Sequence, residues 1–393
     1  MPEVLPGSRV RRVRGAGGGP LTGLLALLLT ALLMTACTGG LPKPPSRSAT
    51  DVAATIARGL ADQVALGPTI GADYSGLRAV IVRVDGQTVF EEYYSGSPED
   101  AFDVGSVTAG VLSTLVGIAV RERKLQLDDP LATLLPEHAA SMPRRTARAT
   151  LRQLLSMTAG LSPRFRGLDP EFSHAPDWVL DIVTAAGSTA PGTSFLYADE
   201  GAHLVTAILE EAIGEPLLRY ARTRLFAPLG IPTEPAYTPS ASATRLADYR
   251  EAAFAWPVDP QGRATGHCCL KLRPEDLAKL GQLYLDHGMW EDRRVLPVDW
   301  ARSATVNQST APVNDPLGLG YGFLWWVRAA DEDPAYAALG TGGQMIEVVP
   351  NLGLVVVTAV EVDPTDATDQ GVNLMLTTSL VESVIAPAVR GGA

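Results

Sequence analysis

The sequence predicts an α/β fold of the α+β kind: an antiparallel sheet flanked by helices, with a helical lobe inserted in it. Three observations lead there. β-rich runs cluster towards both ends of the chain, at 77–84 and 88–94 and again at 337–339, 344–349 and 353–360. Helical spacing lies outside them on both sides, over 51–66 and 369–385. The stretch between, about 106–245, carries helical patterns and almost no strand pattern. Strands divided in this way pair most simply in one sheet, with the middle of the chain as a separate lobe.

Each element has its own signal. Residues 51–66 place Val52, Ile56, Leu60 and Val64 on one face, with Asp51 at the start. The alternating run 77–84 meets Asp85-Gly86, a hairpin turn, and 88–94 returns. Ser106 then opens an apolar helix over 110–121. Thr150 and Gln153 form a capping box at the head of the next clear helix. Further helices are expected over 177–186, 199–213 and 216–226, and one over 273–287 has proline and acids in its first turn. Another is expected over 297–305, and 321–326 reads as a strand. Internal repeats are absent from the sequence.

The chain has 393 residues, 46% hydrophobic and 19% charged, ample for a core and unlike a disordered chain. Its front end reads as an address rather than as fold. Arg9, Arg11, Arg12 and Arg14 precede an apolar run at 21–33, and Met34-Thr35-Ala36 leads into Cys37. Small residues directly before a cysteine resemble the lipobox of bacterial lipoproteins. That resemblance implies a signal peptide at 1–36, a lipid on Cys37, a Gly/Pro/Ser-rich tether at 37–50 and a folded domain at 51–390 outside the cytoplasm. The leader carries four Arg and one Glu, so the formal charge of −11 becomes −14 from Cys37 onward. An acidic chain lacks the basic face of a nucleic-acid binder and needs the lipid for attachment to a membrane. Cys268 and Cys269 are adjacent, which disfavours a bridge between them, and read as two small buried hydrophobes. The five histidines are scattered and no metal spacing occurs, so no cofactor or metal is expected.

The centre of the chain is Phe102-Asp103-Val104-Gly105-Ser106-Val107-Thr108-Ala109. A hydroxyl at a helix start faces free backbone N–H groups, so the plain reading of Ser106 is an N-cap and the chemical reading is a nucleophile. The stretch resembles the nucleophile segment of the serine β-lactamase and penicillin-binding-protein family, in its class C-type β-lactamase-related branch. Leu151 to Leu161, Pro191 to Tyr197 and Arg224 to Ile231 resemble further segments of that family in the same order. The resemblance implies a β-lactamase/transpeptidase-like fold over the whole domain and a cleft where three motifs meet.

In each motif part of the family pattern is replaced. Ser-x-x-Lys becomes Ser106-Val107-Thr108-Ala109, with alanine for the lysine. Tyr-x-Asn becomes Tyr197-Ala198-Asp199. Lys-Thr-Gly or His-Gly-Gly becomes Thr341-Gly342-Gly343-Gln344, without a cation. The resemblance assigns Ser106, Tyr197 and Asp199 as the catalytic positions and the backbone N–H groups of Ser106 and Gln344 as the oxyanion donors. Ala109, Thr341, Gly342 and Gly343 line the cleft. Among the four lysines, Lys271 is the one conceivable substitute base, since Lys43 falls in the tether, Lys124 at a solvated helix end and Lys279 mid-helix. Without a base a serine is a poor nucleophile, and the first two replacements shift the cleft by −2, against carboxylate-bearing substrates. Three readings follow: a lipoprotein whose cleft binds a small-molecule or envelope-derived ligand with weak turnover or none; an altered esterase or peptidase using Ser106 and Tyr197; and a true β-lactamase or D,D-carboxypeptidase.

Overall fold

The computed structural model describes residues 48–70, 74–163, 175–185, 187–241, 246–309, 313, 318–329, 332–361 and 372–391. The expected signal peptide, Cys37 and the tether up to residue 47 lie outside them.

Helix α1 (Ala49–Ile70) takes in the last tether residues and runs a turn beyond the expected end. Strands β1 (Leu77–Val84) and β2 (Gln87–Tyr93) form the expected hairpin. Its turn residues Asp85 and Gly86 have φ of 49° and 81°, the left-handed pair a two-residue hairpin needs. Strand β3 (Phe102–Asp103) leads into a 3₁₀ turn at Gly105–Val107 and helix α2 (Thr108–Arg121). The lobe contains α3 (Leu131–Leu134), α4 (Leu151–Leu155) with its Thr150–Gln153 capping box, α5 (Trp178–Thr184), α6 (Asp199–Ile213), α7 (Leu217–Ala221) and α8 (Leu246–Glu251). Strand β4 (Lys271–Leu272) precedes α9 (Pro274–Leu285), a small hairpin β5 (Met289–Trp290) and β6 (Arg293–Arg294), and α10 (Val298–Ala304).

The expected strand at 321–326 is instead a hairpin, β7 (Gly320–Tyr321) and β8 (Trp326–Arg328). Gly322 N–H bonds to Trp325 O at 2.8 Å and Leu324 has φ of 61°, so the chain reverses within the apolar run. Strands β9 (Ala335–Gly340), β10 (Gln344–Val349) and β11 (Leu354–Val360) follow, and the chain closes with α11 (Val372–Leu380), a wide π turn at Val381–Ile385 and α12 (Ala386–Arg390).

The main sheet has the order β2-β1-β11-β10-β9-β8-β7, antiparallel throughout. The strands from the two chain ends therefore meet at β1 and β11. Side chains alternate between two cores. Ile81, Ile346, Val348, Val355 and Val357 face the core shared with α2, α9 and the lobe. Val80, Val82, Met345, Val349, Leu354 and Val356 face α1 and the closing helices. Burial on both faces is why these strands read as apolar runs rather than as clean alternations.

Helix α2 is buried along its length from Thr108 to Ala119 and forms the seam between sheet and lobe. Two glycines set the helix packing. At Gly117 a Cβ would lie 2.4 Å from Trp300, and at Gly281 in α9 it would lie 2.6 Å from Val355 Cγ1 and 2.8 Å from Ile346 Cγ2. Gly281→Ala gains up to ~1 kcal/mol of helix propensity and loses about 1–3 kcal/mol to overpacking against the sheet. The overpacking wins, so the variant should unfold at a lower urea midpoint with an unchanged m-value. A midpoint equal to or above the parent's would show that α9 has room to move.

Candidate active site

The turn that carries Ser106 is fixed from several sides. β3 pairs with β4, Phe102 opposite Leu272 and Asp103 opposite Lys271. Val104 N–H bonds to Leu270 O at 2.9 Å. The Asp103 carboxylate accepts from Gly105 N–H at 2.8 Å, and Thr108 Oγ1 donates to Gly105 O at 2.7 Å. Gly105 has φ of 52°, where a glycine is favoured, and the backbone then turns tightly into α2. Ser106 is the middle residue of the 3₁₀ turn, and neither helix start takes a side-chain cap from it. The N-cap reading is thereby corrected: Asp103 ties the turn, and the partly exposed Ser106 is left to face Tyr197, with whose phenol it interacts.

Tyr197 arrives from the other side of the cleft, two residues ahead of α6. Its ring stacks on Trp326 at 5.6 Å and 12° and meets Tyr321 edge-on at 6.1 Å. Phe195 extends the cluster, 5.3 Å from Tyr321. Burial pushes the Tyr197 phenol well above its ordinary range, and the Asp199 carboxylate pushes it further the same way. The bond with Ser106 opposes this more weakly. Tyr321 is raised by the same causes, burial first and then Tyr197 and Asp199. Asp199 is the first residue of α6, where a carboxylate also suits the helix dipole.

Ala109 lies one turn beyond Ser106 and is 2% exposed, packed into the main core. Lys271 does not replace the missing lysine. Its ammonium donates to the carbonyls of Tyr249, Arg250 and Ala252 at 2.9, 2.7 and 2.8 Å, which uses all three of its protons. Burial lowers its pKa, and the charge of Asp103 across the strand pair resists that. Lys279 is engaged with Gly230 O and Asp276.

The third segment closes on the Ser106 turn from the end of β9. A Cβ on Gly340 would lie 2.5 Å from Val104 O and 3.2 Å from Ser106 N, and one on Gly105 would lie 3.1 Å from Thr341 N. The backbone packed on the serine is thus that of Gly340 and Thr341. Gln344, the expected second donor, stands opposite Gly340 in the ladder. Its side chain is turned to β11, donating to Val360 O and accepting from Val360 N at 3.2 Å. Thr358 Oγ1 holds Gly343 O at 2.6 Å, and Gly342 and Gly343 turn with φ of 80° and 98°.

The structure therefore brings Ser106, Tyr197 and Asp199 together beside the Gly340–Thr341 backbone and places Ala109 in the core one turn further along α2. Trp326, Tyr321, Asp103 and Tyr249 went unassigned in the sequence. Asp103 had a legible signal, an acid two residues before a glycine at a helix entry, whereas the aromatic wall exists only through the β7–β8 hairpin. The reading of Cys268 and Cys269 is also corrected. They are buried, 6% and 4% exposed, but joined to each other. The chain turns at Cys269 through a φ of 74°, which brings the neighbouring side chains together.

A serine on a helix entry, facing a tyrosine across the seam between an antiparallel sheet and a helical lobe, defines a serine-hydrolase fold. The chain belongs to the Beta-lactamase family, whose model matches residues 71–376. It is 28% identical over 276 residues to penicillin-binding protein 4 of Amycolatopsis lactamdurans, covering 65% of this chain and 71% of that one. It is 21% identical over 296 residues to 6-aminohexanoate-dimer hydrolase of Paenarthrobacter ureafaciens, covering 69% of each. The crystal structure of D-amino acid amidase from Ochrobactrum anthropi SV3 matches with a TM-score of 0.65 at 19% identity, over 87% of this chain and 99% of that one.

The raised phenol gives a pH prediction. A group held above its ordinary value of 10.0 stays protonated through the range where free tyrosines ionise. At roughly pH 11 the native protein and Tyr197→Phe should therefore show the same phenolate absorbance. One extra phenol ionising near pH 10 in the parent would place a cation beside Tyr197 and overturn this arrangement.

Proposed function

We propose that this chain is a cell-envelope lipoprotein that keeps the serine-hydrolase fold of its family and uses the Ser106–Tyr197 cleft to hold a small ligand, with little or no turnover. The observation that carries the proposal is Ala109. The position one turn from Ser106, where the family pattern puts lysine, is a buried methyl group in the core. A serine needs a base, and loss of a member of a catalytic triad costs about 10⁴-fold in other serine hydrolases. Tyr197 does not supply the base, because burial and Asp199 both hold its proton on. Lys271 is spent on three carbonyls.

What remains is a site for recognition. Ser106 can donate or accept, Tyr197 offers an O–H, and the backbone amides of Ser106 and the Thr341–Gln344 turn are the donors for a carbonyl oxygen. Asp199 adds negative charge, so the ligand class that fits is a neutral or amine-bearing small amide or ester, not a carboxylate. Two relatives are named for hydrolysis of small amides, which supports an amide-shaped ligand. The second reading is a slow esterase. The closeness of Ser106 to the Tyr197 phenol favours it.

A fluorophosphonate probe, which labels an activated serine, separates the two. Labelling of the purified protein should match that of Ser106→Ala, as should hydrolysis of p-nitrophenyl acetate and nitrocefin. Strong labelling lost in Ser106→Ala would establish the esterase instead. The converse experiment restores the base. Ala109→Lys puts an amine on the Ser106 face of α2, but Asp199 should pair with it and keep it protonated. Ala109→Lys with Asp199→Asn should raise ester hydrolysis about 10²-fold or more over the Ser106→Ala blank, with the two changes non-additive. A folded double variant that stays at the blank rate would mean that the cleft does not admit an acyl substrate.

The lipid attachment rests on the residues before Cys37. Cys37→Ala should release the protein from the membrane fraction or leave its leader uncleaved and poorly exported. A variant that remains membrane-bound at full length would identify an uncleaved anchor.

A further inference from the structure

We infer that the Cys268–Cys269 pair is a reversible thiol–disulfide modification site whose state is read by the turn carrying Ser106. The bridge lies immediately before the residues that hold that turn. Leu270 O accepts from Val104 N–H, and Leu270 N–H reaches Thr108 Oγ1 at 3.4 Å. Thr108 Oγ1 in turn holds Gly105 O. The next residues, Lys271 and Leu272, form the β4 partner of Asp103 and Phe102.

A second route runs through Tyr249. Its hydroxyl donates to Cys269 O at 2.8 Å, and the Asp103 carboxylate lies nearby, adding to burial in raising the phenol's pKa. Asp103 accepts from Gly105 N–H. Cys269 is therefore linked to Gly105 through Leu270 and Thr108, and through Tyr249 its carbonyl meets the surroundings of Asp103. Thr265 Oγ1 fixes the other cysteine, donating to Cys268 O at 2.8 Å.

The closed ring holds Cys269 at a φ of 74°, a region that residues with a Cβ rarely occupy. Reduction breaks one S–S bond and forms two S–H bonds. The two electrons and two protons come from an external dithiol, which becomes a disulfide. With the ring open, Cys269 is free to leave the left-handed region. That motion rotates its carbonyl away from Tyr249 and the Leu270 amide away from Thr108. The Leu270–Thr108 anchor of the nucleophile turn then weakens, whereas β10 and β11, which do not touch this segment's hydrogen bonds, keep theirs. The inference does not depend on whether Ser106 turns over a substrate.

The test is peptide-resolved hydrogen exchange and alkylation on the full chain, purified without reductant, before and after dithiothreitol. Cys268 and Cys269 should alkylate only after reduction. Amides in 102–108 and 268–272 should then exchange at least about tenfold faster, the effect expected when local protection loses one or two hydrogen bonds, with β10 and β11 unchanged. Cys268→Ser with Cys269→Ser should show the fast exchange with and without reductant. If that variant does not fold, the reduced parent carries the measurement. Free thiols in the untreated protein, a bridge that resists dithiol in the folded state, unchanged exchange at 102–108 after reduction, or an equal rise in β10 and β11 would each overturn the inference.

Discussion

Gly340 and Gly105 let two backbones meet where a single methyl group would force them apart. A Cβ on the first would overlap Val104 O, and one on the second would crowd Thr341 N. This contact joins the end of β9 to the entry of α2, and so joins the sheet to the helix that the lobe packs on. Much of the site follows from it. The serine is presented by a turn that is held in place, because Asp103, Thr108 and Leu270 hold its backbone while the end of β9 presses on its other side. Tyr197 then needs only its place ahead of α6 and the Trp326 ring under it to reach the hydroxyl.

That dependence explains how the cleft keeps its shape with its usual cations gone. None of the contacts that position Ser106 uses the side chain at position 109. Alanine there is well suited to burial, since an ammonium in the same place would need partners to offset its desolvation. The exchange at 199 fits the same pattern. A carboxylate beside a phenol raises the phenol, and a lysine between them would have opposed that. With the lysine absent, Asp199 and Tyr197 form a stable neutral-phenol arrangement that is poor at taking a proton and adequate at donating a hydrogen bond. On the proposed reading, the geometry of a hydrolase and the protonation states of a binding site coexist.

The sequence carried the class of the fold and the principal positions of the site, for physical reasons that differ by element. Strand runs such as 344–349 and 353–360 were legible because burial on both faces leaves them mostly apolar and β-branched. Helix α6 was legible to the residue because Asp199 opens it and Gly214, with φ of 72°, closes it. The hairpin inside 320–328 was not legible, since its reversal depends on Leu324 adopting a positive φ within an apolar run. The bridge at Cys268–Cys269 was hidden likewise, because adjacent cysteines join only where the backbone already turns. Ser106 was found through the residues around it, but its freedom from capping depends on Asp103 taking that duty, which is a matter of side-chain direction and not of spacing.

Lys271 shows why chemistry does not return by a small shift of an existing cation. It sits opposite Asp103, on the strand that pairs with the one leading to Ser106, and burial already lowers its pKa in the direction a base requires. The obstacle is its hydrogen bonding. Three carbonyls hold the ammonium, and bonds to a charged donor are worth about 1.5–3 kcal/mol each. Releasing all three would cost about as much as the whole stability of a modest domain. It would also unpair the loop around Tyr249, whose hydroxyl holds Cys269 O next to the segment that bonds the Ser106 turn. The lysine that stabilises the scaffold cannot also leave it to take a proton, so on the proposed reading a working base would come from the face of α2 on which Ala109 now packs.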